Sequence, residues 1–405
     1  MEIGVVVHGP NIIDSGYAVY ILNILSNYGN VHCRLGGTMG RTAVIDASLE
    51  NIIDISEKLF PSQSLKKFKN EEMDCIFLLN YGKSSTTGQV FGYKVFNNYS
   101  KGLLDNNTPI IQIERPGEED GSVILWDGDD TTLKLSEDSR VELKSLPINK
   151  FVNNIANELE LNIVNPEDIR LKYFKEDFMD GENKRYVYGV SPNENILVNG
   201  MVVGKSTSEN IILISDNGII TDIVGGIIKP HGVEKLGKVN LQKAIIKTGL
   251  LRKTDNIKPR IIENKKDTEY IKIAYLNHAA EDVYKYKNTD IVISIGDDTT
   301  LLTSDILYRF NIPIIGITDG DLDKVVEKGF TNKKSKIIQL EPGYDDIIGE
   351  KIFNQILNQE KILKLKIPTN KTKEQYQKDT INNLTKEIIQ IVNNINCKYK
   401  ILNKV

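Results

Sequence analysis

Apolar residues fall in short blocks along the chain, and the spacing within each block separates strands from helices. Ile3 to His8, Val31 to Leu35, Cys75 to Leu79, Pro109 to Ile113 and Val123 to Trp126 are nearly unbroken apolar runs, which read as buried strands. Between them lie stretches of helical spacing: one from Asp14 or Ser15 to about Tyr28, one after Thr42, and a closing one from Asn149 to Leu161. This alternation predicts a parallel α/β sheet for 1–162. Residues 163–255 differ. Ile196 to Gly204, Ile211 to Ile214, Ile219 to Val224 and Ile227-Ile228 are short β-rich runs. Asp216-Asn217-Gly218 predicts a hairpin between two of them, because Asn and Gly accept positive φ cheaply. The α/β pattern returns over 256–365. Its centre is the strand Ile291 to Ile295, the turn Gly296-Asp297-Asp298-Thr299-Thr300, a helical run from Leu301 to Phe310, and the strand Pro313 to Thr318, which ends in Asp319-Gly320-Asp321-Leu322-Asp323. Within 366–405, Ile381, Leu384, Ile388, Ile391 and Ile395 form one helical stripe, for packing on its own domain or for contact with a second copy. The expected fold class is α/β: two Rossmann-like or flavodoxin-like parallel-sheet domains flanking a small β-rich domain, with a C-terminal helical tail.

Composition narrows the function classes. The chain has 405 residues, a quarter of them charged, with a net charge of -4. That balance disfavours bulk binding to nucleic acid, which needs a basic stripe. Cys33, Cys75 and Cys397 are widely spaced and make no metal-ligand pattern, which suits a reducing cytoplasm. No apolar run is long enough to cross a bilayer, and Met1 to Val7 reads as a strand and not a signal peptide. The expectation is a cytoplasmic protein with no membrane partner.

Open parallel sheets bind ligands beyond the carboxyl ends of their strands, so the loops there carry the candidate chemistry. Asp297 and Asp298 follow one strand, and Asp319, Asp321 and Asp323 follow the next. Convergent carboxylates suit Mg²⁺ shared with phosphate oxygens, and Gly296, Thr299 and Thr300 open a helix whose N–H groups favour an anion. Helix capping and an ordinary surface turn compete with that reading. Gly36, Gly37 and Arg41, in Gly36-Gly37-Thr38-Met39-Gly40-Arg41, combine close backbone approach with a guanidinium fork, or make a tight turn. Lys83 and His8 follow other strands of the same sheet. Gly82-Lys83-Ser84 is not a Walker loop, because Phe77 stands where its first glycine belongs. Lys229, His231 and Lys235 offer an anion site or acid–base groups. His278 reads as the start of a helix and His32 as a packed strand residue. Gly128-Asp129-Asp130-Thr131-Thr132 repeats the later pentapeptide, as a reused turn or a duplicated half; the first copy continues as a strand and the second as a helix.

Residues 291–322 resemble the phosphate loop of the NAD kinase and diacylglycerol kinase superfamily. Gly296, Asp297 and Thr299 match its Gly-Gly-Asp-Gly-Thr turn, and Pro313, Ile314, Gly316, Ile317, Gly320 and Leu322 match the strand that follows. The resemblance implies a phosphate cradle with Asp297 as catalytic acid. Ser294-Ile295 and Asp298 depart from it, and a carboxylate at 298 repels phosphate unless a metal intervenes. A longer likeness, carried by Val7-His8-Gly9-Pro10, Gly37 to Ala47, Gln112 to Gly117, Lys229 to Leu236 and Gly296 to Thr300, is to an uncharacterised family of methanogenic archaea, a domain of unknown function. It implies an archaeal cytoplasmic protein and supplies no reaction.

The functional expectation is a protein that binds a nucleotide or another small phosphate-containing ligand, extending to Mg²⁺-dependent phosphoryl or nucleotidyl transfer. Asp297 and His231 would be catalytic. Gly36, Gly37, Arg41, Lys83, Lys229, Lys235, Gly296, Thr299 and Thr300 would bind ligand, and Asp297, Asp298, Asp319 and Asp321 would hold metal. A non-catalytic metabolite-binding or assembly protein, as a homodimer or alone, is the main alternative. A TOPRIM-like nucleic-acid enzyme ranks last.

Overall fold

The computed structural model describes residues 1–101, 108–135, 144–173, 183–188, 190–208, 210–248, 257–262, 269–277, 283–319 and 330–402. It is a mixed α/β structure built on two six-stranded sheets and a β-rich region. In the first sheet the order is Asn30–Gly36, Glu2–His8, Cys75–Asn80, Ile110–Glu114, Ser122–Asp127, Asn162–Ile163. The first four strands are parallel, whereas Ile110–Glu114 and Ser122–Asp127 are antiparallel. The sheet is therefore mixed and not the purely parallel one that the strand–helix alternation predicts. The fifth strand enters through the short turn at Arg115–Gly121, too short for the crossover that a parallel neighbour requires.

The chain runs from Glu2–His8 to a neighbour on one side, then crosses to Cys75–Asn80 on the other. This leaves a switch of direction between those two strands, at their carboxyl ends. One face packs on helices Tyr17–Leu25 and Ile148–Glu158, the other on helices Pro61–Asn70 and Ser85–Ser100. The helix expected from Asp14 to Tyr28 is interrupted at Gly16, whose φ of 81° splits off a short helix at Asn11–Asp14.

The second sheet has the order Ile362–Lys366, Tyr270–Leu276, Ile291–Ile295, Ile314–Thr318, Lys336–Leu340, Tyr399–Leu402. Four central strands are parallel and both outer ones antiparallel. The stripe residues Ile381, Leu384, Ile388 and Ile391 of helix Lys373–Asn394 are buried in the core of this sheet. Its other face carries helix Asp297–Tyr308 and receives Ile45 from the first part of the chain. Arg309 joins the two halves there. It lies 2.7 Å from Asp46, and both side chains are buried.

The β-rich region makes one four-stranded and one three-stranded antiparallel sheet. The turn at Asn217-Gly218 is as expected: both residues have positive φ, 48° and 83°, which matches the twist of the hairpin strands. Asn199-Gly200 makes the same kind of turn between Asn195–Val198 and Met201–Ser206. No helix among the described residues is long and apolar enough to cross a membrane.

Candidate functional site

The register of the first sheet places Gly36, His8, Asn80 and Glu114 side by side in one row at the carboxyl ends of its parallel strands. Neighbours in register project to the same face, so three polar side chains meet, each directly after an apolar residue (Val7, Leu79, Ile113). His8 Nδ1 lies 2.7 Å from Asn80 Oδ1, and Asn80 Nδ2 donates to Glu114 Oε2 at 2.7 Å. Glu114 also accepts from the Gly82 backbone N–H at 2.6 Å and from Gln112 Nε2 at 2.7 Å.

Helix Ser85–Ser100 covers this row closely because of two glycines. A Cβ at Gly88 would sit 1.9 Å from the Glu114 carboxyl carbon, and one at Gly92 would sit 1.7 Å from Gln112 Oε1. One turn apart on the helix, they leave room for two polar side chains beneath it. Phe91, between them, stacks on the His8 ring at 4.1 Å and 17°. Burial pushes the Glu114 carboxyl up to about 7 against its three donors and the charge of Arg115. Burial also pushes the His8 imidazole down to about 4; the Asn80 bond opposes that shift and the charge of Lys247 adds to it. His8 is therefore neutral at ordinary pH.

The β-rich region supplies the other wall. Lys247 Nζ reaches Thr38 Oγ1 at 3.3 Å, beside Gly37, which has a φ of 87°. Burial, then the charge of Lys58, lower the basicity of Lys247. Lys83 is 2.5 Å from Glu194, a buried carboxylate of the β-rich region. The start of helix Ser85–Ser100 is capped from within the protein: Thr87 N–H bonds Ser84 Oγ and Ser85 N–H bonds Asp120. Arg41 is not brought to this edge. It is buried, donates to the Glu57 carbonyl at 3.2 Å and lies 4.8 Å over the Tyr284 ring, between the two halves.

The carboxyl edge of the second sheet is acidic. Asp297, Asp319 and Asp345 are all buried. Burial, then Asp319 and Asp346, push Asp345 up to about 6. Asp319 also accepts from the Gly343 N–H at 2.8 Å. The β-rich region reaches this edge too: Lys235 is 2.6 Å from Asp346 and His231 is 3.8 Å from it. Lys229 stands at the N-terminal boundary of the helix that carries both, Pro230–Leu236, without a side-chain capping bond. Gly296 has a φ of 92° and begins helix Asp297–Tyr308. Thr300 is fully buried, with its hydroxyl 2.9 Å from Ser294 and its methyl group over Gly316, and Thr299 is buried one residue before it. Asp298 stands in the same first turn. Asp321 and His278 lie outside the described residues. Among the described residues, no group of three His, Cys, Asp or Glu side chains is arranged to hold a metal ion. His32 is exposed and pairs with Glu2 at 2.6 Å; it is not the packed strand residue expected, because it lies on an edge strand.

Asn80, Glu114, Lys58, Lys247, Asp345 and Asp346 are absent from the sequence expectation. Asn80 and Glu114 carried a usable signal, since each is a polar residue closing an apolar strand just where His8 closes another. Lys247 carried none.

Comparison with known proteins agrees with the longer resemblance. The uncharacterized protein MJ0065 of Methanocaldococcus jannaschii is 46% identical over 361 residues, covering 88% of this chain and 92% of that protein. No solved structure matches. A family model described as "uncharacterized protein conserved in archaea" (DUF2117) matches residues 5–360, and the chain belongs to that family.

Proposed function

We propose that this protein binds a small phosphate-bearing ligand at the carboxyl edge of its first sheet, under the wall formed by Lys247. One observation carries the reading. Lys247 is half-buried, its hydrogen-bond partner among the described residues is the neutral Thr38 hydroxyl, and burial and then the charge of the exposed Lys58 lower its basicity. A half-buried ammonium that also feels a second cation is held at a cost in free energy that an anion would recover. The surroundings support a phosphate: the switch of strand direction at His8 and Asn80, the small Gly37 loop, and the hydroxyl of Thr38. Thermal-shift measurements with nucleotides, sugar phosphates and inorganic phosphate test it. A ligand at a hundred times its Kd adds about 2.7 kcal/mol of stability. The expected result is a raised Tm that Lys247→Met abolishes; a shift that survives Lys247→Met overturns the assignment.

A second reading extends the first to Mg²⁺-assisted phosphoryl or nucleotidyl transfer, with Asp297 and His231 in catalytic roles. It is favoured by the charges of Asp319 and Asp346 acting on the buried Asp345, which a divalent cation there would relieve with water completing its shell, since the three carboxylates are not themselves arranged as a metal site. The local likeness to the kinase phosphate loop falls at the same edge. A Mg²⁺-dependent rise in Tm that Asp345→Asn removes would support it, and a Tm indifferent to Mg²⁺ would count against it.

A further inference from the structure

The hydrogen bonds that end at His8 have a direction, and it is fixed from their far end. The indole N–H of Trp126 can only donate, and it meets Gln112 Oε1 at 3.0 Å. Gln112 therefore turns its amide nitrogen the other way, to Gly88 O at 3.0 Å and Glu114 Oε2 at 2.7 Å. The Gly82 backbone N–H, also a donor only, takes the other oxygen of Glu114. Above about pH 7, where Glu114 is ionised, it is surrounded by donors and accepts from Asn80 as well. Asn80 must then present its carbonyl oxygen to His8, so the imidazole proton sits on Nδ1 and the lone pair on Nε2.

The ring cannot turn freely, because Phe91 stacks on it. Its Cδ2 edge, which bears Nε2, faces Gly37, where a side-chain carbon would lie 3.8 Å away. Gly37 immediately precedes Thr38, the residue that Lys247 reaches. Among the described residues, Nε2 has no hydrogen-bond partner.

We propose that His8 Nε2 is a hydrogen-bond acceptor for the ligand, so that the site takes a phosphate ester carrying a hydroxyl group within reach of its phosphate. Sugar phosphates and nucleotides have that chemistry; inorganic phosphate and simple alkyl phosphates do not. The proposal rests on the phosphate reading above and adds the second anchor. Because the imidazole is a weak base there, its role is to accept a hydrogen bond and not to take the proton.

The test compares ribose 5-phosphate with butyl phosphate by calorimetry on the full chain, for the wild type, His8→Phe and Lys247→Met. His8→Phe keeps an aromatic ring for Phe91 and removes the acceptor. The wild type is expected to prefer the sugar phosphate by about tenfold, the worth of one well-placed hydrogen bond. His8→Phe should lose that preference while still binding butyl phosphate, and Lys247→Met should weaken both ligands. A preference that persists in His8→Phe overturns the role of His8 and leaves the phosphate reading standing. Binding of neither ester by the wild type overturns both. Nitrogen-15 NMR of the unliganded wild type above about pH 8, with Glu114 ionised, decides independently of any variant's folding: the proton is expected on Nδ1, and a proton on Nε2 overturns the inference alone.

Discussion

At the carboxyl edge of the first sheet the side chains are a neutral imidazole, an amide, lysines and one carboxyl, Glu114, enclosed by hydrogen-bond donors; at the same edge of the second sheet they are aspartates pressed together. The two scaffolds are alike, with four adjacent parallel strands and antiparallel company outside them. The β-rich region touches both edges with lysines, yet to different effect. Lys235 meets a carboxylate, whereas Lys247 meets a hydroxyl and feels the charge of Lys58. Backbone architecture thus sets where a site can form, and the side chains closing each strand set which charge it accepts.

The comparison can be broken most severely by parting the halves. Asp46→Ala would leave Arg309 buried with only Asp305 opposite, and we expect a loss of about 3–5 kcal/mol in urea denaturation. Arg309→Met together with Asp46→Ala should regain part of it, because the buried guanidinium is gone, while Asp305 loses its cation and keeps the Phe330 N–H.

The acidic edge comes next. In the folded protein the Asp345 carboxyl titrates at about 6, above its free value of 3.8, so it favours the folded state only while protonated. That contribution is complete below about pH 4 and is lost as the pH rises through about 6. Asp345→Asn should therefore stabilise the protein above pH 6, by an amount on the order of 2 kcal/mol, and the gain should fade toward pH 4. A gain independent of pH would show that charge repulsion is not its cause.

The covered row of the first sheet should yield to Gly88→Ala. The added methyl group meets the Glu114 carboxyl, and about 1–3 kcal/mol of stability should go with it. Melting curves of Gly88→Ala against Gly9→Ala would separate a clash from backbone strain, since a Cβ at Gly9 meets nothing and only its φ of 79° is at stake. The smallest effect is expected at Lys247→Met without ligand: a change within about 0.5 kcal/mol, on the stabilising side at low salt. A loss above about 1 kcal/mol would mark Lys247 as a structural residue.

Much of the fold was legible because its signals are local. Apolar runs marked the strands, Asn217-Gly218 marked a tight turn, and the stripe from Ile381 to Ile391 marked a packed helix. Asp120 and Asp46 illustrate the limit, because whether a carboxylate caps a helix or clamps two halves depends on neighbours far away in sequence. The antiparallel fifth strand was missed, since a buried run looks the same in either direction. The places of His8, Gly37 and Lys83 at or just beyond strand ends were readable. Arg41 was not, because a guanidinium beside a glycine loop can turn toward a crevice or, as here, onto Tyr284. Lys247 enters from a strand that pairs within another sheet, so only the assembled chain brings it to Thr38.

The glycine-lined row beneath helix Ser85–Ser100 also has an optical consequence. Trp126 is the single tryptophan of the chain and ends the row of hydrogen bonds that begins at His8. All indole emission therefore comes from one position, bonded through Gln112 to a carboxyl that gains or loses its proton near neutrality. The crevice carries its own built-in lamp. A ligand settling on His8, or a proton settling on Glu114, should alter the colour or brightness of that emission, and binding could be followed in unlabelled protein with an ordinary fluorimeter.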